Sequence, residues 1–178
     1  ILIRFLEVSM VAFSAIHIIL SVVFTVKLIK WMKDKKRYAE FIQNPLTNSA
    51  IMAPFISLVM TMNVFIGPIR YFIPQMADNL QIFMLPALTV WGLIWLALMR
   101  MEIKLLAISF KNSFDISKIS FGWLLHPFAL AMLTVTGTGI AALAKAPEVA
   151  HTAAMFSVIS GTMGFFLLTV KTITIFKS

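Results

Sequence analysis

The sequence predicts an all-α fold: a polytopic transmembrane helical bundle, built from tandem helical hairpins around a central pore. Three observations carry this expectation. The 178 residues are 60% hydrophobic and 12% charged, with a mean hydropathy of +0.94, and a water-soluble domain of that balance would have a largely apolar surface. Five apolar runs, about 5–28, 46–72, 80–103, 119–144 and 150–172, each meet the roughly 20 helical residues that cross a hydrocarbon layer. They do not alternate polar and apolar over about ten residues as the strands of a membrane barrel would. Finally, the chain repeats. Pro54-Phe55 and Thr61 recur as Pro127-Phe128 and Thr134 at an offset of 73 residues. The same offset takes Lys27 to Arg100, and an offset of 71 takes Arg100 to Lys171. Self-similarity at a fixed period marks one supersecondary unit used several times. Here the unit is a hairpin of one plain apolar helix with a basic end and one helix bearing Pro, Phe, Thr and Gly.

Spans one, three and five are uniformly apolar and close on Lys or Arg, whose long stems reach the interface. Spans two and four differ in kind. Span two opens on Asn44-Pro45 and carries Pro54, Ser57, Thr61, Asn63 and Gly67-Pro68. Span four carries Gly122, His126-Pro127 and the run Thr134, Thr136, Gly137, Thr138, Gly139. Proline within a helix removes a backbone hydrogen bond and bends it, which membranes tolerate where neighbours or water satisfy the freed carbonyls. Spans two and four are therefore expected to turn inward, bent at Pro54 and Pro127. Span three also holds Pro86, so polar content sorts the two classes and proline alone does not. In span five, Ser157, Ser160, Gly161 and Gly164 form the small-residue spacing that lets helices approach closely. The connecting segments are short, so residues 1–178 are expected to form a single transmembrane domain.

Charge gives the orientation. Twelve of the fifteen basic residues follow spans one, three and five; only Arg4, Arg70 and Lys145 lie at the other ends. Under the positive-inside rule the segments 28–45 and 100–118 and the C-terminus are cytoplasmic, in an integral membrane protein of a prokaryotic plasma membrane. The net charge of +8 is read as topology and not as nucleic-acid binding. An odd number of spans beginning outside, with Ile1 in place of an initiator Met, suggests an excerpt of a longer chain.

The sequence offers no recognisable catalytic apparatus, and no enzyme is expected. It lacks cysteine, paired carboxylates within a span, and the HExxH, GxSxG and phosphate-loop patterns. Intramembrane ionisable groups are functional candidates by default, and His17 and His126 are the deep ones. Two histidines at similar depth on different helices could hold a b-type haem, which is the alternative reading: an electron-transfer subunit using His17 and His126. A histidine satisfied by its structural neighbours is the plainer alternative, and the leading reading needs no cofactor. Glu7 is expected near Arg4 or solvent. Phe55 and Phe128 are either ordinary aromatics or a constriction that closes a narrow pore by excluding water. Thr134, Thr136 and Thr138 point around much of one helix, so at least one should meet a cavity, although packing is an equally open reading.

These features resemble the tellurite-resistance/dicarboxylate transporter family, that of TehA and the plant slow-type anion channels. The resemblance rests on Asn44-Pro45-Leu46 opening a span, on Ala53-Pro54-Phe55, and on Ile119-Ser120-Phe121-Gly122-Trp123-Leu124-Leu125-His126-Pro127-Phe128. Lys27-Leu28-Ile29-Lys30-Trp31 is similar to the basic end of an outer helix. The resemblance implies a ring of five hairpins, ten helices around a pore, assembled as a homotrimer. This chain would supply helices two to six; a register of six to ten fits the same residues. The family's gating phenylalanine corresponds to His126 here, so no gate residue is carried over. Together these readings lead to passive or proton-coupled transport of a small inorganic anion or dicarboxylate, with Pro54, Phe55, Thr61, His126, Pro127, Phe128, Thr134 and Thr138 as the pore-lining candidates.

Overall fold

Each apolar run folds as a helix because in hydrocarbon only an internally hydrogen-bonded backbone is stable. The computed structural model describes residues 2–112 and 114–177, which contain helices and no strand. In chain order the α-helices are α1 (Leu2–Met32), α2 (Lys35–Gln43), α3 (Ala53–Val64), the short α4 (Arg70–Phe72) and α5 (Pro74–Asp78), α6 (Leu80–Lys111), α7 (Leu125–Leu143) and α8 (Pro147–Lys177). Among the described residues, five helical stretches are long and apolar enough to cross a membrane: Leu2–Met32, Asn48–Phe72, Leu80–Lys111, Phe121–Leu143 and Pro147–Lys177. The helices outrun the apolar runs mainly at their basic ends, where Lys and Arg are good helix formers.

The two prolines of the repeat do not bend their helices. Pro54 lies at the very start of α3 and Pro127 in the first turn of α7, where a backbone N–H would have no helical partner and its absence costs little. Each α-helix is preceded by a 3-10 segment, Asn48–Met52 and Phe121–Leu124. Their starts stand at the repeat offset of 73, so the repeat is one local structure used twice. The interruption in span two comes later: Pro68 cannot donate to the ladder, and Phe65–Ile69 widens into a π-helical turn. α6 runs through Pro86 without a break in its helical assignment.

α7 is the centre of the bundle. It packs against α3, α6 and most extensively α8, while α1 flanks α3. Burial follows that order: 44% of the most apolar window of span four is enclosed, against none of span one. Leu130, Leu133 and Ile140 of α7 meet Met84, Trp91, Leu98 and Leu105, which recur every seven residues along α6. The Trp91 indole donates to Leu133 O at 2.9 Å. Against α8, Gly164 and Gly161 lie where an added Cβ would crowd Leu130 and Thr134, as small-residue spacing implies. Spans two and four touch directly: Thr136 donates to Asn63 Oδ1 at 2.9 Å, and these two residues are themselves one repeat apart. Large apolar side chains of α1, α6 and α8, Phe13, Leu93 and Phe165 among them, face outward over far more surface than a soluble monomer leaves bare.

The basic ends gather at one end of the bundle. α2, whose first turn is capped by Asp34 accepting from Arg37 N at 3.2 Å, lays Tyr38 and Phe41 against Trp31 and buries Ile42. Asn112 at the end of α6 donates to Gln43 O at 2.8 Å. At the opposite end Gln81 bridges Leu143 O and Lys145 N, at 3.0 and 2.8 Å. There Glu7 takes neither Arg4 nor solvent alone: Tyr71 donates to its carboxylate at 2.9 Å.

Candidate functional site

Two of the cavities that bring polar side chains together inside the apolar zone lie on different faces of α7. The first is a groove of about 420 Å³ between α1, α3 and the start of α7, bordered by His17, Ser21, Ala53, Ser57 and Phe128. Its polar wall is built by periodicity. His17 and Ser21 are four apart on α1, and Ser57 and Thr61 four apart on α3, so each pair shares a face. The pairs interlock. His17 Nε2 lies 3.1 Å from Thr61 Oγ1 and 3.3 Å from Ser21 Oγ, Ser57 donates to Ser21 Oγ at 2.9 Å, and Thr61 donates to Ser57 O at 2.9 Å. Ser21 Oγ stands within hydrogen-bond distance of both the imidazole and the Ser57 hydroxyl. The groove thus presents an imidazole and two serine hydroxyls, has no acidic side chain in its lining, and is apolar elsewhere. Phe128, half exposed, stands beside it.

The second cavity, about 380 Å³, opens between α6 and α8 near the basic end and is bordered by Glu102, Trp123, His126, Phe166 and Lys171. His126 Nδ1 lies 2.6 Å from Glu102 Oε2, with both residues more than nine-tenths buried. Among the described residues Glu102 Oε1 has no hydrogen-bond partner. Lys171 lies over the Trp123 ring at 4.9 Å, and Trp123 in turn donates to Pro45 O at 2.9 Å. That bond joins the two segments, around Asn44-Pro45 and around Trp123, on which the family resemblance was read.

No known protein family, curated protein or solved structure matches this chain.

The eight candidate residues fall into several surroundings. Phe128 borders the groove; Thr61 does not, but lies within hydrogen-bond distance of His17 and borders a separate recess of about 250 Å³ between α1 and α3. Phe55, its repeat partner, is half-buried and packs on the core instead, and Pro54 is half-buried beside it. Pro127 is buried, its carbonyl against Gly164 of α8. Thr134 bonds Leu130 O and lies 3.0 Å from Ser160 Oγ, so its hydroxyl is taken up by α8. Thr138 is exposed and returns its proton to Val135 O at 2.9 Å. None of the three threonines 134, 136 and 138 borders either cavity. His126 faces α6 and His17 faces the groove, so the two deep histidines line different cavities and are not brought together.

Sequence reading missed Ser21 as a site residue and passed over Glu102 altogether. Glu102 sits between Arg100 and Lys104, and a count of charges by side absorbs it. A signal was present: Leu98, Glu102 and Leu105 fall at spacings of four and three, on the buried face of α6. An acid on that stripe has to find a partner.

Proposed function

We propose that this chain is an integral membrane protein that moves a small anion, an inorganic anion or a dicarboxylate, along the groove between α1, α3 and α7. One observation carries the reading: a hydrogen-bonded set of imidazole and hydroxyls in a groove with no carboxylate in its lining and with Phe128 beside it. Hydroxyl donors in a low-dielectric setting can replace part of an anion's hydration shell without the trapping strength of a fixed cation. The basic end of the bundle, placed in the cytoplasm by the positive-inside rule, concentrates anions at its mouth. In the ten-helix ring that the family resemblance implies, these five helices are half of the wall and the groove one side of the path; the assembly would be a homotrimer.

Phe128 is the closure in this reading, because a bulky ring beside a narrow polar path excludes water when it swings across. Chloride or nitrate flux into proteoliposomes made with the purified full chain tests this. Phe128→Ala is expected to raise flux at least several-fold, and Phe165→Ala on the outward face of α8 to leave it unchanged. Equal flux in wild type and Phe128→Ala would contradict the closure.

A further inference from the structure

We infer that the cavity between α6 and α8 is a binding site for a zwitterionic phospholipid with a primary-ammonium headgroup, a phosphatidylethanolamine. The inference rests on the membrane placement of the five helices and is independent of the anion path. Three features of the cavity converge. Its rim is apolar and open: Ile103, Leu106 and Phe166 border it and are exposed, so in a bilayer acyl chains run along it. It holds opposite charges that do not meet. Glu102 comes from α6 and Lys171 from α8, and the only ion pair of Glu102 among the described residues is with His126. Finally, Glu102 Oε1 is buried and lacks a donor among the described residues, a condition that costs free energy unless a partner arrives.

A phosphoethanolamine group supplies both missing partners at once. Its ammonium donates to the Glu102 carboxylate, and its phosphate accepts from Lys171 Nζ, which lies over the Trp123 ring. The ionisable groups lining the cavity are Glu102, His126 and Lys171, while the segment before α3 adds only the neutral Pro45 and Asn48. Glu102 and Lys171 bring one carboxyl and one amine to the lining from opposite helices. That favours a zwitterion over an anionic lipid. The ammonium matters through its N–H groups: a trimethylammonium headgroup has the same charge and no proton to give Oε1.

Thermal unfolding of the purified, delipidated full chain in detergent tests the inference, with added lipids of identical acyl chains. Phosphatidylethanolamine is expected to raise the midpoint by about 5–10 °C at a hundredfold excess over its Kd. The gain should fall stepwise as the amine is mono-, di- and trimethylated, a comparison that needs no mutant. Glu102→Gln should erase the advantage of phosphatidylethanolamine over phosphatidylcholine, and Lys171→Met should weaken both lipids. Equal stabilisation by the amine and its trimethylated form would overturn the inference. So would a larger effect of phosphatidylglycerol, which would mark an anionic-lipid site. Flux measurements do not enter, so failure of the anion reading leaves this result standing.

Discussion

At the scale of single residues, equal positions in the repeat have unequal surroundings. Phe55 and Phe128 follow the same proline, yet one packs on the core and the other borders the groove. The reason is their neighbours. α3 packs Phe55 toward the core, while the start of α7 leaves Phe128 facing the gap beside α1. Local sequence cannot express that difference, because it depends on which helix comes to lie alongside. Glu102 was hidden for a related reason: its role comes from a partner 24 residues away. The residue scale also offers a pH test outside the apolar zone. The Ser117 hydroxyl and then its backbone N–H donate to Asp115, at 2.7 and 3.0 Å, and hold that carboxyl below the usual carboxylate range. This turn is therefore fully formed above the ordinary carboxylate midpoint and is lost as pH falls through the lowered one. An NMR titration of the Asp115 carboxyl carbon should report a midpoint that moves up toward about 3.9 in Ser117→Ala; an unmoved midpoint would refute the assignment.

At the scale of elements, the existence and number of the long helices were legible, because runs of that length and apolarity have few other ways to fold. The bends expected at Pro54 and Pro127 were not found. A proline's effect depends on its distance from the helix start, and the 3-10 lead-ins that set those starts carry little sequence signal. The amphipathic α2 was concealed by its lysines, which drew the reading toward topology. Contact between α7, α6 and α8 turns on one glycine. A Cβ on Gly137 would run into Ser157 Oγ and the Trp91 ring, while one on Gly139 would meet nothing within 4 Å. Gly137→Ala is thus expected to destabilise by roughly 1–3 kcal/mol through overpacking. Gly139→Ala should be neutral or stabilising by up to about 1 kcal/mol from helix propensity. Denaturation midpoints of the two variants in detergent check the pair, and a reversed order would refute the packing described here.

At the scale of the whole molecule, charge and polarity are arranged along two different axes. Basic residues collect at one end of the bundle, as their placement after spans one, three and five foretold. Polar side chains inside the apolar zone collect on two faces of α7, and nothing in the one-dimensional pattern separates those faces. The central position of span four was readable from its glycines and threonines, although these serve largely to bring α3 and α8 close: Thr136 meets Asn63 and Thr134 meets Ser160. The groove depends instead on α1, the least enclosed helix, contributing His17 and Ser21 opposite Ser57 and Thr61.

Water in that groove is the central claim, and the absence of cysteine from the chain makes it directly measurable. Single variants Ser57→Cys, Phe128→Cys and Phe165→Cys can be exposed in membranes to a charged, water-soluble thiol reagent. Cysteines at 57 and 128 are expected to react at least tenfold faster than the outward-facing cysteine at 165, and to be slowed when chloride or nitrate is present. Reaction at 57 and 128 no faster than at 165 would contradict a hydrated path between α1, α3 and α7.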